Sequence, residues 1–186
     1  MIDLPDIPFT EEASGLFNRL LPRIKDRLLE VEKVPVSVLL WGPGIGSGSS
    51  LASVRMGLRQ ALRRKGHVAV YSEEICDETC NHSIRLQQLA QAQEFDLIVT
   101  TPCTPGSVGE IHDFAADRRV NGKIIVFINR QYVDGYSAQS INAISTVLSC
   151  RVEYYPNENE VDIIENITLF EVQKIREMKY IFRGRY

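Results

Sequence analysis

Short apolar runs alternate with helical segments along most of this chain, and this alternation limits the possible folds more than any other feature. Five runs are predicted to be strands: residues 36–41, 67–71, 96–101, 123–129 and 151–155. The fourth run is apolar almost throughout, which is typical of a strand buried in a parallel sheet. Strands that alternate with helices form sheets covered by those helices. The sequence therefore predicts an α/β fold: a doubly wound, mainly parallel, five-stranded Rossmann-like sheet with helices on both faces.

Apolar residues recur at three- and four-residue steps in the segments that follow the strands. These segments are predicted to be helices over residues 51–65, 80–95, 107–118, 137–148 and 161–179. The last helix is expected to turn its apolar side chains inward: Ile164, Ile167, Phe170, Val172, Ile175 and Met178. Because no repeat or linker interrupts this pattern, residues 1–186 are predicted to form one domain.

An extra helix is predicted before the first strand, within an N-terminal extension formed by residues 1–35. Thr10 followed by Glu11 and Glu12 is typical of an N-cap with acidic residues in the first turn. Its apolar residues form one stripe: Leu16, Phe17, Leu20, Leu21, Ile24, Leu28 and Val31. Pro22 predicts a kink or a division into two helical pieces. The stripe is expected either to cover the sheet or to form the interface of a homo-oligomer.

Composition and charge restrict the location and the partners. A net charge of -3 argues against a protein that binds nucleic acid duplexes, since such proteins are normally basic. The N-terminus lacks the pattern of a signal peptide, and no apolar run has the length of a membrane span. We therefore expect a cytoplasmic protein that does not bind membranes.

The cysteine pattern predicts ordinary reduced thiols. The chain has four cysteines, and none form a C-x-x-C pair. Cys76 and Cys80 could share one helical face with His82 nearby, which leaves a metal site as an alternative. Free thiols in a reducing compartment are the preferred interpretation. We therefore predict neither a metal nor a cofactor.

A Gly/Ser loop joins the first strand to the following helix. Its sequence, Gly-Pro-Gly-Ile-Gly-Ser-Gly-Ser-Ser over residues 42–50, is neither a P-loop nor a Gly-x-Gly-x-x-Gly fingerprint. Backbone N–H groups in such a loop can surround a phosphate or a ribose. Substrate contacts are therefore predicted from Gly42, Gly44, Gly46, Ser47, Gly48 and Ser49. The alternative is a turn whose serines cap the next helix.

An acidic residue follows the second strand. Either Glu73 or Glu74 could bind ribose hydroxyls there, and Glu73 is included among the predicted substrate contacts. Acidic surface residues are equally common before a helix, so a purely structural role is an open alternative.

The third predicted strand leads into Thr-Thr-Pro-Cys-Thr-Pro-Gly-Ser-Val-Gly-Glu, residues 100–110. A helix that begins at the carboxyl end of a parallel strand offers free N–H groups and a positive dipole to a ligand. Further substrate contacts are therefore predicted from Pro105, Gly106, Ser107, Gly109 and, after the fourth strand, Asn129. Glu110 is the candidate catalytic residue, because a carboxylate there can attack or stabilise the anomeric carbon of a ribosyl group.

The residues around Glu110 also permit other interpretations. Ser107-Val108-Gly109-Glu110 matches a capping box, which would give both polar side chains a structural role. Cys103 could be a reactive thiol near the helix start, although no base for it is identifiable. His112 lies two residues beyond Glu110 and is expected on the surface.

Pro-Gly-Ser-Val-Gly-Glu at residues 105–110, after a strand and before a helix, resembles the motif of nucleoside 2-deoxyribosyltransferase-like proteins. It also resembles the related Lonely-guy/DprA-like (SLOG) Rossmannoid domains. The resemblance extends more loosely over residues 36–130, where Arg55 and Lys-Gly-His at 65–67 fit the family layout. It implies cleavage or transfer of an N-glycosidic bond, with Glu110 at the anomeric carbon. Some bacterial relatives are antiphage effectors that act on nucleotides or NAD.

The chain departs from the family pattern at two points. Cys103-Thr104 stands where transferases carry an aspartate, and the second glycine of Pro-Gly-Gly is missing. The leading hypothesis is therefore an N-glycosidase that cleaves a nucleoside, nucleotide or NAD, with transfer between bases less favoured. The alternatives are a non-catalytic sensor of a nucleotide-derived ligand, a dinucleotide-binding module, and a structural protein that docks through the helix of residues 10–33.

Overall fold

The computed structural model describes residues 8–102, 105–147, 149–157 and 160–182. Its five strands form one sheet in the order β2-β1-β3-β4-β5, and every described pairing is parallel. The strands are β1 (Ser37–Trp41), β2 (Val68–Tyr71), β3 (Leu97–Thr100), β4 (Ile124–Asn129) and β5 (Arg151–Tyr155). The predicted α/β class with a parallel Rossmann-like sheet is thus confirmed.

Within the described residues, six α-helices accompany the sheet: α1 (Glu11–Val31), α2 (Ser50–Arg64), α3 (Ile84–Glu94), α4 (Pro105–Ala115), α5 (Tyr136–Val147) and α6 (Asp162–Ile181). The helix α3 begins four residues later than predicted, because the Ser83 side chain caps it by accepting from the Leu86 N–H at 3.3 Å. The helix α4 begins two residues earlier than predicted, since a proline suits the first turn of a helix.

The core has two layers, one on each face of the sheet. Successive side chains of a strand point to opposite faces, so Leu40 of β1 packs with Leu62 and Ile164, which come from α2 and α6. The neighbouring Leu39 lies in the other layer with residues of α4 and α5, among them Phe114. Each fully buried aliphatic side chain contributes about 1.5–3 kcal/mol to stability. The prediction of helices on both faces is confirmed.

The inward face of α6 differs from the predicted one. Ile164 and Val172 are buried as expected, but Phe170 and Met178 are 64% and 55% exposed. The buried residues of α6 lie four positions apart, and two of the four, Thr168 and Arg176, are polar. The Arg176 guanidinium donates to the main-chain carbonyls of Val34 and Lys65 at 3.2 and 3.1 Å and pairs with the Glu32 carboxylate. The prediction is therefore confirmed for Ile164, Ile167, Val172 and Ile175, which lie in the core or pack against it, but apolar periodicity could not show that a hydrogen-bonded arginine takes an inward position.

The helix α1 is continuous and lies on the surface. Thr10 caps it as predicted, since its Oγ1 accepts from the Ala13 N–H at 3.3 Å. Pro22 lies inside one helix of 21 residues, so the expectation of two helical pieces is wrong. None of its residues, all within the described part of the chain, is buried. The expectation that α1 covers the sheet is therefore wrong, whereas the oligomer interface remains a prediction.

Among the helices of the described residues, none combines the length and the apolar character that a bilayer span requires.

Candidate functional site

A cleft of about 620 Å3 opens where β1 and β2 end. Its walls come from the loop after β1, from α2, from the segment after β2, from α3 and from α4: Trp41, Gly42, Gly44, Arg55, Ser72, Glu73, Cys76, Asp77, Glu78, Cys80, His82, Ile84, Gln87, Gln88 and Glu110. In the sheet, β1 lies between β2 and β3, so the chain reverses its direction of winding at this point. Open parallel sheets bind their ligands at the carboxyl ends of strands beside such a reversal.

Arg55 joins three elements beneath the cleft. Its Nη1 donates to the Pro43 carbonyl at 2.9 Å and to Glu73 Oε1 at 2.7 Å. Its Nη2 donates to the Leu40 carbonyl at 2.5 Å and to Glu73 Oε2 at 2.6 Å. A guanidinium that is forked onto a carboxylate in this way is held in one geometry. Arg55 therefore fixes the end of β1, its following loop and the segment after β2 to one another.

The ring of Tyr71 lies against two arginines of α2. The guanidinium carbons of Arg55 and Arg59 lie 4.6 and 4.5 Å from the ring centroid. Arg59 pairs with Glu74 at 2.8 Å, and Glu74 Oε2 also accepts from the Tyr71 N–H at 3.2 Å. Glu74 thus has a structural role, and Glu73 is the acid that lines the cleft. Because Arg55 occupies both oxygens of Glu73, this carboxylate is already paired.

Glu110 lies in the second turn of α4 and is partly buried. Gln88 Nε2 of α3 donates to Glu110 Oε1 at 2.7 Å. Burial raises the pKa of the Glu110 carboxyl above its usual value, while the Gln88 hydrogen bond and the Arg55 charge act to lower it and the Glu73 charge acts to raise it. Since α4 begins at Pro105, Ser107 lies inside the helix and not at its N-cap. The capping-box alternative is therefore wrong.

Four of the predicted site residues meet in the cleft: Gly42, Gly44, Glu73 and Glu110. Gly42 has a φ of 143°, and a Cβ added there would lie 2.7 Å from Thr101 Oγ1. Only a glycine fits this close approach between the loop after β1 and the end of β3. The glycine therefore lets the two predicted loops lie side by side.

Residues 46–49 of the Gly/Ser loop have local structural roles. Gly46 and Ser47 belong to a short 3-10 turn, Ile45–Ser47, and Gly48 follows it with a left-handed φ of 66°. Ser49 caps α2, since its Oγ accepts from the Ala52 N–H at 3.1 Å. Among the described residues that line the cleft, none comes from positions 46–49. The alternative in which serines of this loop cap the next helix is confirmed for Ser49.

The other predicted contacts belong to α4 and to the end of β4. Pro105, Gly106 and Ser107 form the first turn of α4, and Gly109 is an exposed residue of the same helix. Asn129 is buried and lies outside the cleft walls in the described part of the chain. Its Oδ1 accepts from the Gln131 N–H at 3.1 Å and so caps the turn after β4.

Two other candidates near Glu110 are Cys103 and His112, and His112 is not among the described residues that line the cleft. Cys103 and Thr104 lie outside the described residues. His112 is exposed as expected, with its Nε2 lying 3.3 Å from Ser140 Oγ.

Cys76, Cys80 and His82 all lie on the cleft wall. Within the described residues, no group of three His, Cys, Asp or Glu side chains is arranged to hold a metal ion. Instead, Cys76 Sγ accepts from Gln91 Nε2 at 3.4 Å, and Cys80 Sγ donates to the His82 carbonyl at 3.9 Å. The metal-site alternative therefore has no support in this part of the chain.

The sequence did not single out Gln88 or Trp41, and it pointed to Arg55 only through a resemblance. A usable signal for Arg55 existed: it lies four residues after Leu51 and three before Leu58, on the stripe of α2 that faces the core. A charged residue on a buried stripe needs a partner, and partners of this kind often build sites. The Trp41 indole Nε1 is buried and has no hydrogen-bond partner among the described residues.

No protein-family model matches this chain, and no curated protein matches it in sequence.

Proposed function

We propose that this protein is an N-glycosidase that cleaves the bond between a base and its ribosyl group in a nucleoside, nucleotide or NAD. The observation that carries the proposal is the position of Glu110, a partly buried carboxylate at the carboxyl edge of a parallel sheet, in a cleft large enough for a nucleoside. The Pro-Gly-Ser-x-x-Glu motif, which ends at this residue, supports the same assignment.

In the proposed reaction, a Glu110 oxygen attacks the anomeric carbon while the bond from that carbon to the base nitrogen breaks. The electron pair of this bond leaves with the base, and an uncharged nucleoside's base then takes the proton that the hydrolytic water releases through solvent. Water then attacks the anomeric carbon of the resulting ester, which releases the sugar and restores the carboxylate. Gln88 would act as a positioning residue, because its amide fixes one oxygen of Glu110. A base that accepts the ribosyl group in place of water would turn the same site into a transferase.

The test replaces Glu110 with Gln and measures the base released from a panel of nucleosides, nucleotides and NAD by chromatography. The expected result is a loss of release by about 100-fold or more, since the nucleophilic oxygen is removed while the shape is kept. Asp113→Asn is the matched control, because Asp113 lies on the same helix and pairs with Arg85 outside the cleft. Full activity of Glu110→Gln would contradict the proposal.

A non-catalytic sensor is the second candidate, and the pairing of Glu73 favours it. With both Glu73 oxygens on Arg55, one of the two strand-end carboxylates is unavailable for chemistry. A sensor would be stabilised by its ligand without turnover, by about 2.7 kcal/mol at a ligand concentration of 100 times Kd. A thermal shift with no released base would favour this candidate over the enzyme.

We also propose that α1 pairs with α1 of a second copy. Its seam residues lie alternately four and three positions apart, the spacing of a coiled coil: Phe17, Leu21, Ile24, Leu28 and Val31. Four of these side chains are between 38% and 63% exposed in the single chain, Phe17, Leu21, Ile24 and Leu28. Pairing with a second copy would remove this apolar stripe from water, which is the main favourable term in association.

A further inference from the structure

We infer that the cleft takes a nucleoside whose base carries a positive charge, and that it discriminates against ligands that carry a phosphate. The inference rests on the proposed function, because it names the substrate class of the same site. It follows from the charges that line the cleft and from which of them are already paired.

Carboxylates dominate the cleft walls. Four of them line it, Glu73, Asp77, Glu78 and Glu110, whereas Arg55 is the one lysine or arginine among the described lining residues. A cleft with charges of one sign concentrates ligands of the opposite sign, because its low-dielectric walls focus the field. The composition of the walls therefore favours a cation.

Arg55 is not free to bind a phosphate. Its two terminal nitrogens already donate four hydrogen bonds, two to Glu73 and one each to the carbonyls of Leu40 and Pro43. The pair formed with Glu73 cancels the charge of both groups. An anionic ligand would thus find the single arginine of these walls neutralised and its terminal N–H groups occupied.

The other three carboxylates form no ion pair with a described lining residue. Asp77 Oδ1 accepts from the Thr79 hydroxyl at 2.6 Å and from the Thr79 N–H at 2.8 Å, and these bonds hold the pKa of Asp77 below its usual value. Glu78 is exposed at the rim. Glu110 has a neutral amide as its hydrogen-bond partner. A positively charged base would supply the missing countercharge.

The chemistry of a cationic base suits these walls. When the bond to the anomeric carbon breaks, the electron pair moves onto the base, which leaves as a neutral molecule. No proton has to be donated to it, so carboxylates are sufficient. In the hydrolysis of the ester, water gives its hydroxyl group to the anomeric carbon and its proton to solvent.

The probes are nicotinamide riboside, which is a cation, its uncharged dihydro form, and nicotinamide mononucleotide, which adds a phosphate to the first. Binding is measured by calorimetry at low and at 0.5 M salt, and released base is measured in parallel. Nicotinamide riboside is expected to bind at least about tenfold more tightly than either comparison ligand, and salt should reduce this preference. Equal or tighter binding of the mononucleotide would overturn the inference.

Charge-neutralising variants keep the two proposals separable. Asp77→Asn with Glu78→Gln should narrow the preference for the cation at least about threefold, whereas Glu94→Gln, an exposed acid outside the cleft walls, should leave it unchanged. An unchanged preference in the double variant would overturn the inference. Selective binding of the cation without released base would support the charge selectivity and count against the glycosidase. Release of base chiefly from uncharged or phosphorylated ligands would support the glycosidase and count against the charge selectivity.

Discussion

Two arginines of α2 offer a matched test of what holds the candidate site together. Arg55 and Arg59 lie one turn apart, flank the same Tyr71 ring, and pair with Glu73 and Glu74, which are adjacent in sequence. They differ in burial, since the Arg55 side chain is 3% exposed and that of Arg59 is 21% exposed. Replacing each by Met keeps most of the aliphatic stem and removes the charge.

The cost of Arg55→Met follows from the bonds that it breaks. Leu40 and Pro43 are buried, and each of their carbonyls would lose a charged donor, which is worth about 1.5–3 kcal/mol per bond. Glu73 is 47% exposed, so water compensates it and its loss of a partner adds only about 1 kcal/mol or less. We expect a total destabilisation of about 3–7 kcal/mol. Arg59→Met breaks a more exposed pair and should cost about 1 kcal/mol or less.

Urea unfolding followed by the fluorescence of Trp41, the single tryptophan, measures both variants. Trp41 is buried and its ring centroid lies 5.1 Å from that of Phe114, so its emission reports on the core beside the cleft. The expected difference between the two variants is at least about 2 kcal/mol. Equal destabilisation by Arg55→Met and Arg59→Met would refute the view that the four bonds of Arg55 stabilise the strand ends.

Three further results are expected. Gly42→Ala should lower the free energy of unfolding by about 2 kcal/mol or more, because its Cβ would meet Thr101 Oγ1 at 2.7 Å, whereas Gly44→Ala, with open space around it, should change it by less than about 1 kcal/mol in the same urea assay. Glu110→Gln should raise the Tm at pH 7.5. Burial raises the pKa of Glu110 in the folded state, so the ionised carboxylate destabilises the fold at a pH above that pKa. The gain in Tm should vanish as the pH falls below about 4.5, where Glu110 is protonated in both the folded and the unfolded chain. A Tm gain that is the same at both pH values would contradict this cause. Leu28→Lys on α1 should lower the sedimentation coefficient to that of a monomer without changing the Tm appreciably, because the side chain is 63% exposed in the single chain.

The strands were predictable almost to the residue because short runs rich in apolar and β-branched residues stand between helical segments, and β3 and β4 are buried throughout. The last strand was predicted with the bounds that the structure gives it, Arg151–Tyr155, and the others lie within the predicted runs. The strand order could not be read in this way, because local patterns do not record which strands become neighbours. Helix faces were harder for a related reason: a buried polar residue such as Arg176 is invisible to a pattern that counts apolar side chains.

The place of the site was easier to predict than its members. Gly42, Glu73 and Glu110 follow three different strands, and parallel strands bring their carboxyl ends to one edge, so the three residues meet. Ser49 follows β1 and Asn129 is the last residue of β4, yet their side chains cap the next helix or turn. A polar residue after a strand suits either role, and the sequence does not record the direction of its side chain. The side chain of Glu73 is oriented by the buried Arg55, which donates hydrogen bonds to both of its carboxylate oxygens.

The two strand-end carboxylates of the cleft are held in opposite ways, and this contrast separates their roles. Glu73 is forked onto a buried guanidinium, which neutralises it and makes it part of the framework. Glu110 has an uncharged amide as its hydrogen-bond partner and is partly desolvated, so its negative charge is left for a ligand to satisfy. In many active sites, two carboxylates in environments that differ in this way have different roles. Arg55 acts at both carboxylates, since it anchors Glu73 directly, while at Glu110 its charge lowers the pKa and the charge of Glu73 raises it.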